Sequence, residues 1–190
     1  MGLRLGDMVN NLDKKKQFNR ELCEQYPFLI PWNRWSGMLI TEQEDGGFFP
    51  GSPEAVVPYD YEYTELDDMP DGWRNAFGYQ MIEEIRHALI EDGDLDRWRI
   101  VQLKEKWARL ELYDNGHKRG SKVPDIIEKY GNMSERTCIV CGRKATRLSR
   151  GWICPYCDEC CPDGGYDLIE DMEEKENGKG KAGSGSAGED

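Results

Sequence analysis

The residues with the clearest chemical potential are six cysteines that lie within 24 residues, from Cys138 to Cys161. They read Cys138-Ile-Val-Cys141 and, further on, Cys154-Pro-Tyr-Cys157-Asp-Glu-Cys160-Cys161. Two Cys-x-x-Cys pairs separated by 15 residues, 142–156, have the spacing of a four-thiolate zinc site, in which each pair presents two sulfurs from one tight turn. Four thiolates fill the coordination sphere of zinc, so the pattern predicts a structural Zn²⁺ site. Spacing alone leaves open whether Cys154 replaces Cys160 as a ligand.

A redox site is the alternative interpretation of the same residues. Cys154-Pro-Tyr-Cys157 is identical to the glutaredoxin active-site tetrapeptide, in which the first thiol reacts from a helix N-terminus. Here no long amphipathic helix follows the tetrapeptide and no βαβ pattern precedes it, so metal binding is favoured over a thiol oxidoreductase using Cys154 and Cys157. The sequence also lacks the Gly-x-Ser-x-Gly, His-Glu-x-x-His and phosphate-binding glycine motifs. We therefore expect binding rather than catalysis, with no catalytic residues.

Charge is distributed unevenly along the 190 residues, whose net charge is −12. Residues 35–96 contain sixteen acids against two arginines, whereas residues 97–150 contain fourteen bases against six acids. Fields of opposite sign on one small protein either steer partners or neutralise each other across the fold.

Each charged stretch suggests a partner. Between Arg34 and Arg74 there are ten acids and no base, and such a run can imitate a phosphate backbone and occupy a basic groove. We predict that the segment 42–71 contacts a partner with a basic surface, with these candidate residues: Asp60, Glu62, Asp67, Asp68, Tyr59, Tyr61 and Tyr63. The alternative is a nucleic-acid-binding zinc-ribbon regulator, whose phosphate contacts would come from Arg143, Lys144, Arg147 and Arg150 beside Trp152.

Apolar periodicity predicts three helices, at about 6–26, over a segment from Trp73 to Leu89 ended by Gly93, and at about 124–133. Alternation predicts strands near 38–40 and at Tyr59–Tyr63, and a hairpin within 97–113 that turns near 105–108. The acid-rich and then Gly-, Lys- and Ser-rich end predicts disorder from about residue 163.

These elements predict an α+β protein, with a small antiparallel sheet packed by two or three helices. The predicted domains are an α+β domain at 1–134, a zinc-ribbon-like module at 135–162 and a disordered acidic tail at 163–190. No stretch approaches the roughly 20 apolar residues that span a membrane, and the start lacks a signal-peptide pattern. Cysteine use without an export signal favours the cytoplasm, where thiols bind metal rather than pair.

Several of these pieces together resemble a family of uncharacterised bacterial and phage proteins. The matching segments are Asp71-Gly-Trp73, Val101-Gln-Leu-Lys-Glu-Lys-Trp107, Leu110-Glu-Leu-Tyr113, Ser134-Glu-Arg-Thr-Cys138-Ile-Val-Cys141-Gly142, Gly151-Trp152 and Cys157-Asp-Glu-Cys160. Two upstream segments, Tyr26-Pro-Phe-Leu-Ile-Pro31 and Tyr63-Thr-Glu-Leu-Asp-Asp68, resemble a Firmicutes and phage subset. One departure is Trp107-Ala108-Arg109, where the relatives tend to have an aromatic residue followed by glycine.

The resemblance implies a metal set of Cys138, Cys141, Cys157 and Cys160, with Cys154 and Cys161 as additional cysteines, and an origin in a phage or mobile element. It implies no reaction. Combined with the acidic run, it suggests a zinc-stabilised interaction protein that inhibits a host nucleic-acid-handling complex such as a CRISPR effector, as anti-CRISPR proteins do.

Overall fold

The fold was analysed in a computed structural model that describes residues 5–31 and 59–170, with side chains from residue 11 onward. Within these residues there are four α-helices, α1 (Leu5–Gln25), α2 (Asp71–Trp73), α3 (Tyr79–Asp92) and α4 (Val123–Ser134). A π-helical segment, Arg74–Gly78, joins α2 to α3 without leaving helical backbone angles. Short 3₁₀ helices lie at Pro27–Leu29 and Glu65–Asp68.

The strands in the described part of the chain form two small antiparallel sheets, which confirms the α+β prediction. A hairpin pairs β1 (Ile100–Lys106) with β2 (Arg109–Asp114), and a three-stranded sheet places β3 (Arg147–Ser149) between β4 (Pro155–Tyr156) and β5 (Tyr166–Leu168). The second sheet and the cysteine cluster form the C-terminal zinc-ribbon-like module. The sequence placed the end of this module at residue 162. The module extends further, because β5 lies beyond that residue and pairs with β3.

The three predicted helices are confirmed, and local signals explain where they end. Pro27 follows α1 and lacks the N–H that another helical turn would need. Gly93, at φ 63°, ends α3 in the left-handed region and donates its N–H to the carbonyl oxygens of Ile90 and Leu89. Pro124 occupies the first turn of α4, where its missing N–H costs nothing.

The core lies between the helices and the β1–β2 hairpin. Phe28 meets the buried Trp98 edge-on, with ring centroids 5.2 Å apart, and Phe77 stacks on Tyr130 at 5.5 Å. The Tyr130 hydroxyl donates a hydrogen bond of 2.8 Å to Glu84, so even this buried polar group is satisfied. The core thus fixes the hairpin and the start of α2 as the platform beneath the C-terminal module.

The hairpin turns where the sequence predicted, through a two-residue loop formed by Trp107 and Ala108. Both residues have positive φ, 55° and 67°, as a type I′ turn requires, and Lys106 pairs directly with Arg109. A glycine would adopt these angles with less strain. Even so, the turn forms here with Trp107 and Ala108, without the glycine that the resembling family tends to have.

The predicted strand at Tyr59–Tyr63 is wrong. Tyr61 has a φ of 63°, and the Asp60 carboxylate accepts the N–H of Glu62 at 3.0 Å, which bends the chain instead of extending it. An aspartate that captures the amide two residues on competes with strand pairing. The predicted strand near 38–40 and residues 171–190 of the predicted tail lie outside the described residues.

No helix within residues 5–31 and 59–170 is both long enough and apolar enough to cross a membrane.

Candidate metal centre

Four cysteines of the C-terminal module converge on one point. The Sγ atoms of Cys138, Cys141, Cys157 and Cys160 all lie within 4.8 Å of one another, and those of Cys141 and Cys157 are 3.6 Å apart. A tetrahedron of sulfurs around zinc, with Zn–S bonds of about 2.3 Å, has edges of about 3.8 Å. The cluster could hold a metal ion with little movement. Cys154 and Cys161, the additional candidates, do not belong to this group.

The first cysteine pair is shaped by a tight turn that ends in a glycine. Gly142 has a φ of +76° and donates its N–H to the Cys138 carbonyl at 2.9 Å, while the Cys138 N–H donates to the Arg143 carbonyl at 2.7 Å. These bonds fold Cys138–Gly142 back on itself and point both sulfurs in one direction. We call this segment, 138–142, the knuckle.

The second cysteine pair follows β4 directly. The Tyr156 carbonyl accepts the N–H of Thr146 at 2.9 Å, so the pairing of β3 with β4 positions Cys157. The N–H groups of Cys160 and Cys161 then both donate to the Cys157 carbonyl, at 3.2 and 3.1 Å, and this turn brings Cys160 beside Cys157. The 15-residue spacer serves to return the chain to the knuckle.

Arg143 stabilises one thiolate of the cluster. Its Nε lies 3.3 Å from the Cys141 sulfur, and its two terminal nitrogens donate to the Glu159 carboxylate, each at 2.7 Å. The guanidinium lowers the pKa of Cys141 to about 6. Metals bind the thiolate, so this arginine favours the form of Cys141 that a metal needs.

The knuckle packs directly on the start of α2. The Gly72 N–H donates to the Ile139 carbonyl at 3.0 Å, and the indole N–H of the fully buried Trp73 donates to the Thr137 carbonyl at 2.8 Å. A Cβ on Gly72 would lie 2.3 Å from the Cys138 oxygen, so only glycine permits this approach. The close approach of Gly72 and Gly142 joins two segments, 71–73 and 138–142, that the sequence singled out separately.

The predicted phosphate-binding arginines are largely engaged within the module. Arg143 pairs with Glu159, Arg147 Nε lies 2.8 Å from Asp158, and Arg150 pairs with Asp167 at 2.6 Å. Lys144 is exposed and forms an isolated backbone bridge with Thr137. Sequence reasoning missed these ion pairs because their acids come from the following turn and from β5.

Cys154 does not have the setting of a redox nucleophile. It is buried directly before β4 rather than at a helix N-terminus, and its N–H donates to the Ser149 hydroxyl at 3.0 Å. Burial raises the pKa of Cys154 to about 11, opposite to the direction that activates a thiol. Its partner in the tetrapeptide, Cys157, belongs to the metal cluster.

The described part of the predicted acidic surface lies against α1 and the start of the α2–α3 helical segment. Lys16 pairs with Asp60 at 2.7 Å, and Lys15 pairs with Asp67 at 3.1 Å. Asp67 also accepts the N–H of Thr64 at 2.7 Å and so caps the 3₁₀ helix that follows. Its role is therefore partly structural.

Among the other predicted contact residues of this surface, Glu62 and Asp68 are exposed. The Tyr59 hydroxyl donates a hydrogen bond to the Tyr63 carbonyl. The Arg20 guanidinium lies over the Tyr61 ring, 5.0 Å from the ring centroid. The Tyr63 side chain also hydrogen-bonds Asp68, so all three tyrosines make contacts within the chain itself.

Comparison with known proteins gives no match, since no family model, no curated protein and no solved structure is significantly similar to this chain. The resemblance to the uncharacterised bacterial and phage family stays a prediction, and the metal centre rests on its own geometry.

Proposed function

We propose that this chain is a zinc-stabilised binding protein that docks on a basic surface of a partner protein. Zinc is the metal because four thiolates and tetrahedral spacing suit it, and a Cys₄ shell leaves no open position for a substrate or water. The ion holds the knuckle rigid, and the knuckle holds the module on the α2 platform. The metal thus has a structural role.

Charge supports a basic partner over nucleic acid. The observation that carries the proposal is that Arg143, Arg147 and Arg150 are neutralised by acids of the module itself, Glu159, Asp158 and Asp167. The chain as a whole keeps a net charge of −12. A surface of this sign repels phosphates and attracts lysine and arginine side chains.

The contact surface in this proposal is the acidic segment 42–71. Its part within residues 42–58 lies outside the described residues. Asp60, Glu62 and Asp68 are exposed, and the first two share a single cation, Lys16, at 2.7 and 3.7 Å. Carboxylates spaced along such a segment suit a groove that normally holds a nucleic-acid backbone. We propose a host defence complex, such as a CRISPR effector, as the target, and a phage or mobile element as the origin.

The first experiment measures metal and binding on one protein preparation. We expect one zinc per chain after purification without added metal or chelator. Purified CRISPR effector ribonucleoproteins then serve as binding and cleavage targets, with wild-type protein compared with the triple variant Asp60→Asn, Glu62→Gln, Asp68→Asn. This variant keeps Asp67, so the cap on the 3₁₀ helix stays in place.

A matched control carries the same change in charge at exposed acids elsewhere, namely Glu24→Gln, Asp96→Asn and Asp163→Asn. Loss of inhibition in the first variant but not in the second supports the acidic surface. Equal loss in both variants, or inhibition unaffected by either, rules that surface out. Tight, salt-dependent binding of free DNA or RNA would favour the nucleic-acid-binding alternative.

A further inference from the structure

Two of the four tryptophans within the described residues are exposed to solvent rather than buried. Trp107 is 72% exposed and Trp152 is 78% exposed, whereas Trp73 and Trp98 are fully buried. The exposed pair comes from different parts of the fold, the β1–β2 turn and the β3–β4 loop, yet both line one cleft of about 230 Å³. Large exposed aromatic side chains that face one cleft mark an interaction site.

Both indoles are held by ordered backbone. Trp107 occupies the first position of a type I′ turn, where Asn and Gly are the usual residues. Trp107 and Ala108 therefore adopt positive φ angles that are strained for their side chains. Trp152 follows Gly151, at φ 88°, and its carbonyl accepts the Ser149 hydroxyl at 2.6 Å. These turns already place both indoles along the cleft, so binding does not have to build the cleft first, which limits the loss of affinity to ordering.

The cleft also contains a carboxylate without a cation. Glu105 lines it, and one of its oxygens accepts the Ala108 N–H at 2.9 Å, which fixes the side chain. Within the described residues, no lysine, arginine or histidine forms an ion pair with Glu105. Lys106 lies at the exposed edge of the cleft, where its long stem lets the ammonium reach water, and Ile153 completes the wall.

Two indoles and an unpaired carboxylate form a site for an organic cation. A cation is attracted by the indole faces, and arginine is favoured over lysine because its planar, weakly hydrated guanidinium stacks on aromatic rings. Stacked nucleic-acid bases would also suit the indoles, but they bring phosphates, and Arg143, Arg147 and Arg150 of the same module are already paired with acids.

We propose that the Trp107–Trp152 cleft binds an arginine side chain of the basic partner, with Glu105 accepting its charge. The inference rests on the proposed function, because it assigns the contact that recognises that partner. It adds a second contact, on the hairpin and the module, to the acidic segment.

The test uses full-length, zinc-loaded protein and an acetylated nine-residue peptide that alternates arginine and glycine. Binding is followed through the NMR signals of the tryptophan indole N–H groups, assigned with the variants Trp107→Asn and Trp152→Ala. Asparagine favours the positive φ of the turn, so the first variant removes the indole without disturbing the hairpin. Glu105→Gln keeps the acceptor for Ala108 and removes only the charge.

We expect the peptide to shift the signals of Trp107 and Trp152, and each tryptophan variant to weaken binding about tenfold. Glu105→Gln should weaken binding about threefold or more, and Lys106→Gln should leave it equal or tighter. The control Tyr113→Ala removes an exposed aromatic residue of the same hairpin outside the cleft, and its affinity should match wild type.

Other results overturn the proposal in distinguishable ways. Peptide binding that survives loss of both indoles but fails in the Asp60, Glu62 and Asp68 triple variant refutes the cleft and leaves the proposed function standing. Absence of peptide binding refutes the cleft as an arginine site, whereas the proposed function stands or falls with the effector assay described above. A 20-nucleotide oligothymidine that shifts the same two indoles while the peptide does not would make the cleft a base-stacking site.

Discussion

Replacing Gly72 by alanine tests whether the knuckle truly rests on α2. The added Cβ would lie 2.3 Å from the Cys138 oxygen and 2.6 Å from the carbonyl carbon and oxygen of Ile139. Ordinary C···O contacts are about 3.3 Å or longer, so backbone must move by about 1 Å, and no side-chain rotation relieves the clash. The knuckle therefore has to lift off the helix or distort.

The expected cost combines this steric clash with the hydrogen bonds that it breaks. Overpacking costs about 1–3 kcal/mol. Breaking the hydrogen bonds from Gly72 to Ile139 and from Trp73 to Thr137 adds about 1 kcal/mol each. Alanine's better helix propensity returns at most about 1 kcal/mol. The net decrease in the free energy of unfolding is about 2–4 kcal/mol, which for a chain of this size lowers Tm by about 4–16 °C.

The assay is thermal unfolding of zinc-loaded protein, with zinc per chain measured alongside. Asn75→Ala is the control, because it places the same residue on an exposed site of the same helical segment, and its Tm should stay within about 2 °C of wild type. All four ligands lie in the module, so Gly72→Ala should still bind one zinc. A Gly72→Ala protein with wild-type Tm would refute the docking of the knuckle on α2.

Three further results are expected. Cys141→Ser should abolish stoichiometric zinc binding, whereas Cys161→Ser should retain one zinc per chain by elemental analysis, since only the former removes a cluster sulfur. Burial raises the pKa of Cys23 to about 12. The rate at which Cys23 is alkylated in the native protein, followed by mass spectrometry, should therefore rise about tenfold per pH unit from about pH 8 to 11. A rate that levels off near pH 9 would contradict this. Arg109 donates to Glu135 at 2.7 Å and to Glu128 at 2.8 Å, and it packs against Gly131. Arg109→Met should therefore lower the free energy of unfolding by about 1–3 kcal/mol in urea denaturation, and an unchanged midpoint would show that these two ion pairs contribute nothing.

The parts of this fold that sequence predicts well are local. Each Cys-x-x-Cys pair lies in a single tight turn, and Gly93 and Pro27 mark helix ends by properties of one residue. Alternation alone predicts the hairpin turn at 105–108, even though Trp107 and Ala108 are unusual residues for positive φ.

The parts that sequence could not supply depend on contacts between distant segments. Nothing in Asp71-Gly-Trp73 indicates that it meets residues 137–142, because the reason for the glycine is a carbonyl 66 positions away in the chain. Pairing of Arg150 with Asp167 likewise required β5, within a stretch predicted to be disordered. The alternation at Tyr59–Tyr63 predicted a strand wrongly, because the Asp60 carboxylate accepts the N–H of Glu62 and bends the chain.

The hydrogen bond between Trp73 and Thr137 joins two segments that a ribosome synthesises at different times. The two residues are 64 positions apart, so at roughly 5–20 residues per second a ribosome adds the acceptor about 3–13 s after the indole. The four metal ligands are later still, and Cys160 is the last of them. The start of α2 is therefore synthesised before the knuckle that packs on it and before the sulfurs that would hold the metal ion. If zinc is the ion, as proposed, a cell short of zinc would leave the knuckle unfolded and the face of α2 beneath it open to chaperones and proteases, which would lower the yield of folded protein.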